Sequence, residues 1–155
     1  SHASWRGGTG SFTVQRRGLR ANGSSGLFRP LEFTDFELQV DMAGQEKVGV
    51  YPVYLSEQQN IRVELDLSNS VLEVSMVGVG SLSLREAYRT HLANRGEWQH
   101  LRIYKFGQEL IIYVNETKIA QLSVDLPEKV VQWCVGVFAE NNGRINNVSV
   151  LEIIK

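Results

Sequence analysis

Alternation of apolar and polar residues with a period of two dominates this chain. In the segments 36–42 (FELQVDM), 61–67 (IRVELDL) and 72–76 (LEVSM), every second residue is apolar. Such spacing directs one row of side chains into a core and the other toward water, which is typical of a half-buried β-strand. Further strand-like segments follow at 101–103, 110–114, 135–138 and 148–153. The pattern predicts about ten to twelve short strands.

Turn-forming residues separate these strands. The segments 68–70 (SNS), 107–108 (GQ) and 141–143 (NNG) are rich in Asn, Ser and Gly, and Asn and Gly tolerate positive φ angles. The segment 82–93 has no sustained apolar stripe, so we expect a long loop with at most one turn of helix. The fold class is therefore all-β, a two-sheet antiparallel β-sandwich. We expect one domain over 5–155, preceded at 1–4 (SHAS) by a remnant of cloning.

Composition and charge exclude several classes of partner. The 155 residues carry 16 basic and 17 acidic side chains, a formal net charge of −1. A nucleic-acid-binding protein ordinarily has a basic excess to neutralise phosphates, so we expect no nucleic-acid partner. No apolar run approaches the about 20 residues that a membrane-spanning helix needs, so we expect no membrane partner. The one cysteine, Cys134, excludes an internal disulfide, and its apolar neighbours indicate a small buried residue.

Three segments carry a resemblance to a known group of proteins. The segment 96–115 (GEWQHLRIYKFGQELIIYVN) resembles a hairpin of concanavalin A-like, laminin G-like sandwiches, and 135–150 (VGVFAENNGRINNVSV) resembles their closing strands. The segment 31–40 (LEFTDFELQV) matches an early strand of the same group. The chain is most similar to the carbohydrate-binding modules appended to bacterial glycoside hydrolases, including the fructan-binding type of levanases. It departs from the group at 115–116, where Asn-Glu replaces the usual Asn-Gly turn.

The resemblance implies a function and a setting. It implies a non-catalytic carbohydrate-binding module that brings a secreted glycoside hydrolase to its polysaccharide, outside the cell or at its surface. The expected partners are a polysaccharide or oligosaccharide and the catalytic domain of the same parent chain. The resemblance also places Trp98 in the core. Two alternatives stay open: a structural accessory domain with no ligand of its own, and a laminin G-like domain that binds a protein.

The residues do not form a pattern typical of catalysis. Glycosidases of this fold carry Glu-x-Asp and a second Glu shortly after it on one strand face. Here Glu64 and Asp66 supply the first two acids, but the next acid is Glu73. His91 and His100 have no Cys or His neighbours at metal-ligand spacing. We therefore predict that the protein is not an enzyme, and we assign no cofactor. A structural calcium ion would be compatible with the fold, but no acidic loop cluster supports one.

Sugar recognition requires flat aromatic faces and polar side chains that bond to hydroxyl groups. A strand that contains Pro52, and therefore lies at an edge or a bulge, carries two tyrosines, and the adjacent segment 57–64 is polar. The 140–142 turn adds a carboxylate and two carboxamides. Cross-strand charge pairing and turn formation are the structural alternatives for these residues. The predicted carbohydrate-binding residues are Tyr51, Tyr54, Gln59, Asn60, Arg62, Glu64, Trp133, Glu140, Asn141 and Asn142.

Overall fold

The computed structural model describes residues 5–80, 84–93, 97–124, 126 and 133–154. Within these ranges the chain forms β-strands joined by turns and loops, and it contains no helix that could span a membrane. The expected cloning remnant at 1–4 lies outside the described residues. The strands are β1 (Arg6–Gln15), β2 (Gly18–Pro30), β3 (Phe36–Ala43), β4 (Lys47–Ser56), β5 (Gln59–Asp66), β6 (Val71–Val77), β7 (Leu84–Arg89), β8 (Gln99–Phe106), β9 (Glu109–Val114), β10 (Thr117–Ser123), β11 (Cys134–Ala139) and β12 (Arg144–Glu152).

The strands follow one antiparallel hydrogen-bonded path, β10-β9-β8-β3-β12-β2-β11-β4-β5-β6-β7, with β1 paired to β2 beside it. The long strand β2 passes from one layer to the other, because Leu19 and Arg20 pair with β12 whereas residues 25–30 pair with β11. We call the layer from β10 to the first half of β2 sheet 1. The layer from the second half of β2 to β7 is sheet 2. The prediction of a two-sheet β-sandwich is confirmed.

The core lies between the two sheets and is built by the predicted alternation. Leu38 on β3 and Ile103 on β8 point inward from sheet 1, and Val50 on β4 and Val63 on β5 point inward from sheet 2. All four side chains are buried. Burying an aliphatic side chain of this size contributes about 1.5–3 kcal/mol, so these rows supply most of the attraction between the sheets. The alternate rows form the two outer faces.

The predicted turns form where the sequence places them. Phe106 pairs with Glu109, which leaves Gly107 and Gln108 as a two-residue hairpin connection, and Gly107 has a φ of 57°. Asn141 and Asn142 also adopt positive φ angles, 34° and 69°. Asparagine adopts this left-handed conformation more easily than most residues do, so Asn141 and Asn142 form the turn that the sequence predicted.

The segment expected to be a loop contains a strand. Residues Leu84–Arg89 form β7, which pairs with β6 at the edge of sheet 2. Its side chains are mostly exposed, and an edge strand with little burial shows no alternation of apolar and polar residues. Periodicity therefore could not reveal it.

Two tryptophans and the cysteine differ from expectation. Trp98 is partly exposed, and the guanidinium of Arg144 lies 4.9 Å from its ring centroid. Trp133 is the core tryptophan, 3% exposed, with Lys105 Nζ 4.8 Å from its ring. Cys134, expected to be buried, is partly exposed on β11. These residues stand near strand ends, where the path of the chain decides burial more than the local pattern does.

Candidate functional site

Four of the predicted residues meet on the outer face of sheet 2. A bulge in β4 between Val50 and Val53, at the predicted Pro52, directs both Tyr51 and Tyr54 outward while the two valines remain buried. On the neighbouring strand β5, Arg62 and Glu64 alternate with buried residues and share the same face. The prediction that Pro52 marks an irregular strand is confirmed, because the bulge gives two tyrosines three residues apart a common direction.

Two phenylalanines that sequence reasoning missed complete this face. The ring of Phe28 on β2 lies across Gly136, where an added Cβ would stand 2.6 Å from the ring carbons. The ring of Phe138 on β11 lies across Gly49, where an added Cβ would stand 2.7 Å from Cζ. Because neither glycine has a side chain, both rings lie against the sheet. The signal in the sequence was the pair of glycines inside β11 and β4, since a glycine within a strand often marks the close approach of another group.

Arg62 and Tyr54 form the layer above these rings. The guanidinium carbon of Arg62 is 3.9 Å from the centroid of Phe138, and the Tyr54 ring centroid is 4.1 Å from that of Phe28. Tyr51 stands between them, with its ring centroid 5.1 Å from that of Tyr54. The resulting surface has an aromatic end at Tyr54 and a charged end at Arg62. We call the set Phe28, Tyr51, Tyr54, Arg62, Glu64 and Phe138 the Arg62 surface.

Hydrogen bonds hold the Arg62 guanidinium in place. Nη1 donates to the Tyr51 hydroxyl at 2.7 Å, and Nη2 donates to Glu64 Oε1 at 2.9 Å. The second oxygen of Glu64 lies 3.7 Å from Lys47 Nζ. The Arg62 side chain is still 31% exposed. A guanidinium has five N–H donors, so a held and partly exposed arginine offers fixed donor directions to a ligand.

The tyrosine hydroxyls of this surface are suited to donate hydrogen bonds. Partial burial, followed by the negative charge of Glu57, raises the pKa of Tyr54 above 10.0, so its hydroxyl keeps its proton to a higher pH than an ordinary tyrosine does. The Tyr51 hydroxyl accepts from Arg62, and a hydroxyl that accepts one bond retains its own hydrogen as a donor. The surface therefore combines aromatic rings, hydroxyl donors and a carboxylate acceptor.

Three other predicted residues of this region have different roles. Gln59 is exposed at the start of β5, beside the β4–β5 turn. Asn60 is buried, and its Nδ2 donates to the carbonyl oxygens of Ser56 and Glu57, both at 3.1 Å, so it stabilises that turn. Trp133 packs in the core and presents no ring face to solvent. Asn60 and Trp133 are therefore corrected to structural residues, because their polar atoms or ring are used inside the fold.

The turn at Glu140, Asn141 and Asn142 follows β11 at the end of sheet 2. Its backbone is fixed by the Glu140 amide, which donates to the Lys47 carbonyl at 2.9 Å. Asn141 Nδ2 donates to Glu46 Oε2 at 2.6 Å, and both asparagines line an open cleft of about 470 Å³. The turn begins two residues after Phe138, at the end of the sheet that carries the Arg62 surface. Within the described ranges, no group of three His, Cys, Asp or Glu side chains could hold a metal ion.

The two acidic residues on β5, Glu64 and Asp66, both form contacts within the protein. Glu64 faces two cations, Arg62 and Lys47. Partial burial works to raise the pKa of Asp66, but hydrogen bonds from Asn69 and Ser68 outweigh burial and lower the pKa overall. A carboxylate held ionised in this way is poorly suited to act as a general acid.

Comparison with known proteins gives the fold a name. No family model and no curated protein sequence matches the chain. Among solved structures, the carbohydrate-binding module CBM66 from Bacillus subtilis superposes with a TM-score of 0.75 at 12% identity, covering 96% of each chain. The VIP36 exoplasmic/lumenal domain in its Ca²⁺/Man₃GlcNAc-bound form gives a TM-score of 0.76 at 14% identity, covering 100% of this chain and 86% of that one. The chain has the concanavalin A-like β-sandwich fold.

A third match widens the range of proteins that share this sandwich. The Caenorhabditis elegans galectin LEC-6 gives a TM-score of 0.63 at 10% identity, covering 97% of each chain. The concanavalin A-like fold that the resemblance implied is therefore confirmed, and it is a fold used by carbohydrate-binding modules and lectins. At such low sequence identity the similarity shows the fold and does not identify a ligand.

Proposed function

We propose that this protein is a non-catalytic carbohydrate-binding module and that the Arg62 surface is its glycan-binding site. The observation that carries the proposal is the fixed Arg62 guanidinium, which lies on one aromatic ring, bonds to Tyr51 and Glu64, and is still partly exposed. Sugar rings pack their C–H faces on aromatic rings while their hydroxyls bond to polar groups. Tyr54 offers such a ring at the other end of the surface, with Tyr51 between it and Arg62. Both kinds of contact therefore lie on one rigid sheet face.

The geometry favours weak binding strengthened by attachment to a larger protein. The Arg62 surface lies on an open sheet face, and a shallow site buries little of a ligand and competes with water for each hydrogen bond. We therefore propose that the module belongs to a secreted glycoside hydrolase, where the catalytic domain of the same chain is its second partner. Its place of action would be outside the cell or at the cell surface. Linkage of the two domains would raise the effective concentration of the enzyme on its polysaccharide.

Affinity electrophoresis against fructans, xylans, arabinans and β-glucans, followed by calorimetry, tests this proposal. We expect retardation by one polysaccharide class and loss of retardation in the Tyr54→Ala and Arg62→Ala variants. Tyr54→Phe keeps the ring and should retain part of the affinity. Arg16→Ala is the matched control, because Arg16 is an exposed arginine in the β1–β2 turn, away from the Arg62 surface.

The controls separate a binding role from a structural one. Arg16→Ala and Tyr54→Phe should keep a melting temperature close to that of the parent protein. Arg62→Ala uncovers Phe138 and Tyr54→Ala uncovers Phe28, so both should lower it, and circular dichroism at the assay temperature must show that each variant is folded. Binding that survives both alanine variants would show that the Arg62 surface is not the site. Retention by no polysaccharide, with folded protein, would contradict the proposed function and favour the structural accessory domain.

A further inference from the structure

A second arginine, on the outer face of sheet 1, has the same set of contacts as Arg62. Arg102 Nη1 donates to the Tyr104 hydroxyl at 2.8 Å, and Nη2 donates to Glu116 Oε2 at 3.1 Å. Its guanidinium carbon lies 4.4 Å from the centroid of the Tyr113 ring. Each arginine thus bonds to one tyrosine hydroxyl and one carboxylate and stacks on one aromatic ring. The two sheets pack face to face, so these constellations point in opposite directions.

Polar side chains extend this second face across three strands. His100 Nδ1 lies 2.7 Å from Asp41 Oδ1, and its Nε2 lies 2.9 Å from Gln39 Oε1. The orientation of the Gln39 amide is set by its Nε2, which donates to Glu37. Asn147 Nδ2 donates to Asp41 Oδ2 at 2.8 Å. The result is an ordered row of donors and acceptors next to Tyr104 and Tyr113, which are both partly exposed.

The carboxylate on this face stands on a strained backbone. Asn115 and Glu116 form the two-residue turn between β9 and β10, with φ angles of 49° and 67°. Such a turn favours Asn-Gly, because a side chain at the second position is strained in the left-handed region. Glu116 occupies that position, and its carboxylate reaches Arg102 and lies 3.7 Å from His100 Nε2. Glutamate is unfavourable in this backbone conformation, but its carboxylate accepts a hydrogen bond from Arg102.

We infer that the outer face of sheet 1 is a second glycan-binding surface, formed by His100, Arg102, Tyr104, Tyr113 and Glu116. The class of ligand rests on the proposed function, since the chemistry is that of the Arg62 surface. Glu116 pairs with Arg102, Asp41 pairs with His100, and Glu37 bonds to Gln39 on the same face. Because carboxylates accompany both cationic positions, a neutral glycan fits better than an anionic one. Because the two surfaces face away from each other, one short oligosaccharide cannot contact both. The module therefore binds two glycan chains at once and links them.

Calorimetry with the neutral oligosaccharide of the class retained in electrophoresis tests this inference. We expect two sites on the parent protein, one site in Arg102→Ala, one site in Arg62→Ala and none in the double variant. We also expect the parent protein to cross-link the soluble polysaccharide, measured as turbidity. Either single variant should abolish the turbidity while keeping one site.

The variant Glu116→Gly separates binding from folding. Glycine restores the favoured Asn-Gly turn, so the melting temperature should equal or exceed that of the parent protein, while the affinity of the second site falls at least about threefold. Gln108→Gly, in the β8–β9 hairpin turn, is the matched control and should keep both sites.

The outcomes distinguish this inference from the proposed function. One site that is lost in Arg62→Ala and unaffected by Arg102→Ala and Glu116→Gly would overturn the second surface and leave the proposed function standing. One site that depends on Arg102 alone would place glycan binding on the outer face of sheet 1, and it would overturn both the assignment of the Arg62 surface and the linking of two glycan chains. Absence of binding to every glycan would contradict the proposed function itself.

Discussion

The guanidinium carbon of Arg62 lies over the ring of Phe138, 3.9 Å from its centroid, and the ring in turn lies over Gly49. Phe138 is 5% exposed although it faces outward from sheet 2, because the arginine covers it. The stack of glycine, aromatic ring and guanidinium therefore forms a small packed layer outside the main core. Its upper member is a cation with fixed donors, which connects the packing of this face to its capacity to bind a ligand.

Replacement of Arg62 by lysine should weaken glycan binding although the charge is kept. A lysine ammonium is not planar and cannot both stack on Phe138 and donate along two fixed directions. Hydrogen bonds to charged groups are worth about 1.5–3 kcal/mol, so we expect the affinity measured by calorimetry to fall about tenfold or more. Arg16→Lys serves as the control. An affinity of Arg62→Lys equal to that of the parent would mean that charge alone matters.

Alanine at the two glycines beneath the rings should destabilise the protein by different amounts. At Gly136 the new Cβ meets the Phe28 ring at 2.6 Å, whereas at Gly49 it meets the backbone oxygen of Val63 at 2.1 Å. A ring can shift, but the sheet backbone cannot easily do so. We expect Gly136→Ala to cost about 1–3 kcal/mol in urea unfolding and Gly49→Ala to cost more. Gly136→Ala should also weaken glycan binding, because Phe28 supports Tyr54. Equal stability of both variants and the parent would refute the close packing of the rings.

The two tryptophans should differ in their importance for stability. Trp133→Ala removes a buried ring and should lower the free energy of unfolding by about 3–5 kcal/mol. Trp98→Ala removes a partly exposed ring that contacts Arg144, and we expect a loss of roughly 1 kcal/mol. Urea denaturation monitored by circular dichroism measures both values. A larger loss for Trp98→Ala would show that the assignment of the core tryptophan is reversed.

The buried Lys105 should make the free energy of unfolding change with pH in the alkaline range. Its Nζ donates to the Thr34 carbonyl at 2.7 Å, and burial lowers its pKa below the ordinary 10.5, an effect that the nearby Asp35 partly offsets. Between the lowered pKa and 10.5 the unfolded state binds more protons, so stability should rise with pH in this window. The pKa of Tyr88, raised to about 12 by burial and by Glu86, acts in the opposite sense only above pH 10.

Comparison with a variant isolates the contribution of Lys105. In Lys105→Met the titrating group is gone, so the difference in unfolding free energy between parent and variant should change as the pH rises from the lowered pKa toward 10.5. Lys118→Met, at an exposed position on β10, is the control and should show a constant difference. A constant difference for Lys105→Met as well would mean that the Lys105 ammonium is not disfavoured in the folded state.

The residues of the Arg62 surface that could be predicted from the sequence differ from those that could not in how far apart they lie along the chain. Tyr51, Tyr54, Arg62 and Glu64 lie close together in the chain on consecutive strands, so the sequence could suggest them as candidates. The bulge between Val50 and Val53 is what gives both tyrosines the direction of Arg62 and Glu64. Phe28 and Phe138 belong to strands from opposite ends of the chain. Their rings reach this face only because β2 and β11 pair beside β4, which no local pattern reveals.

The all-β class, the positions of most strands and turns, and the outward direction of Arg62 and Glu64 could be predicted from the sequence, because strand periodicity and turn chemistry act over a few residues. Which tryptophan is buried, the edge strand Leu84–Arg89, and the contacts of Arg62 with Tyr51 and Phe138 are set by the tertiary structure. The repetition of the Arg62 contacts around Arg102 also depended on it. These features arise from contacts between segments distant in the chain, and such contacts form only when the two sheets pack together.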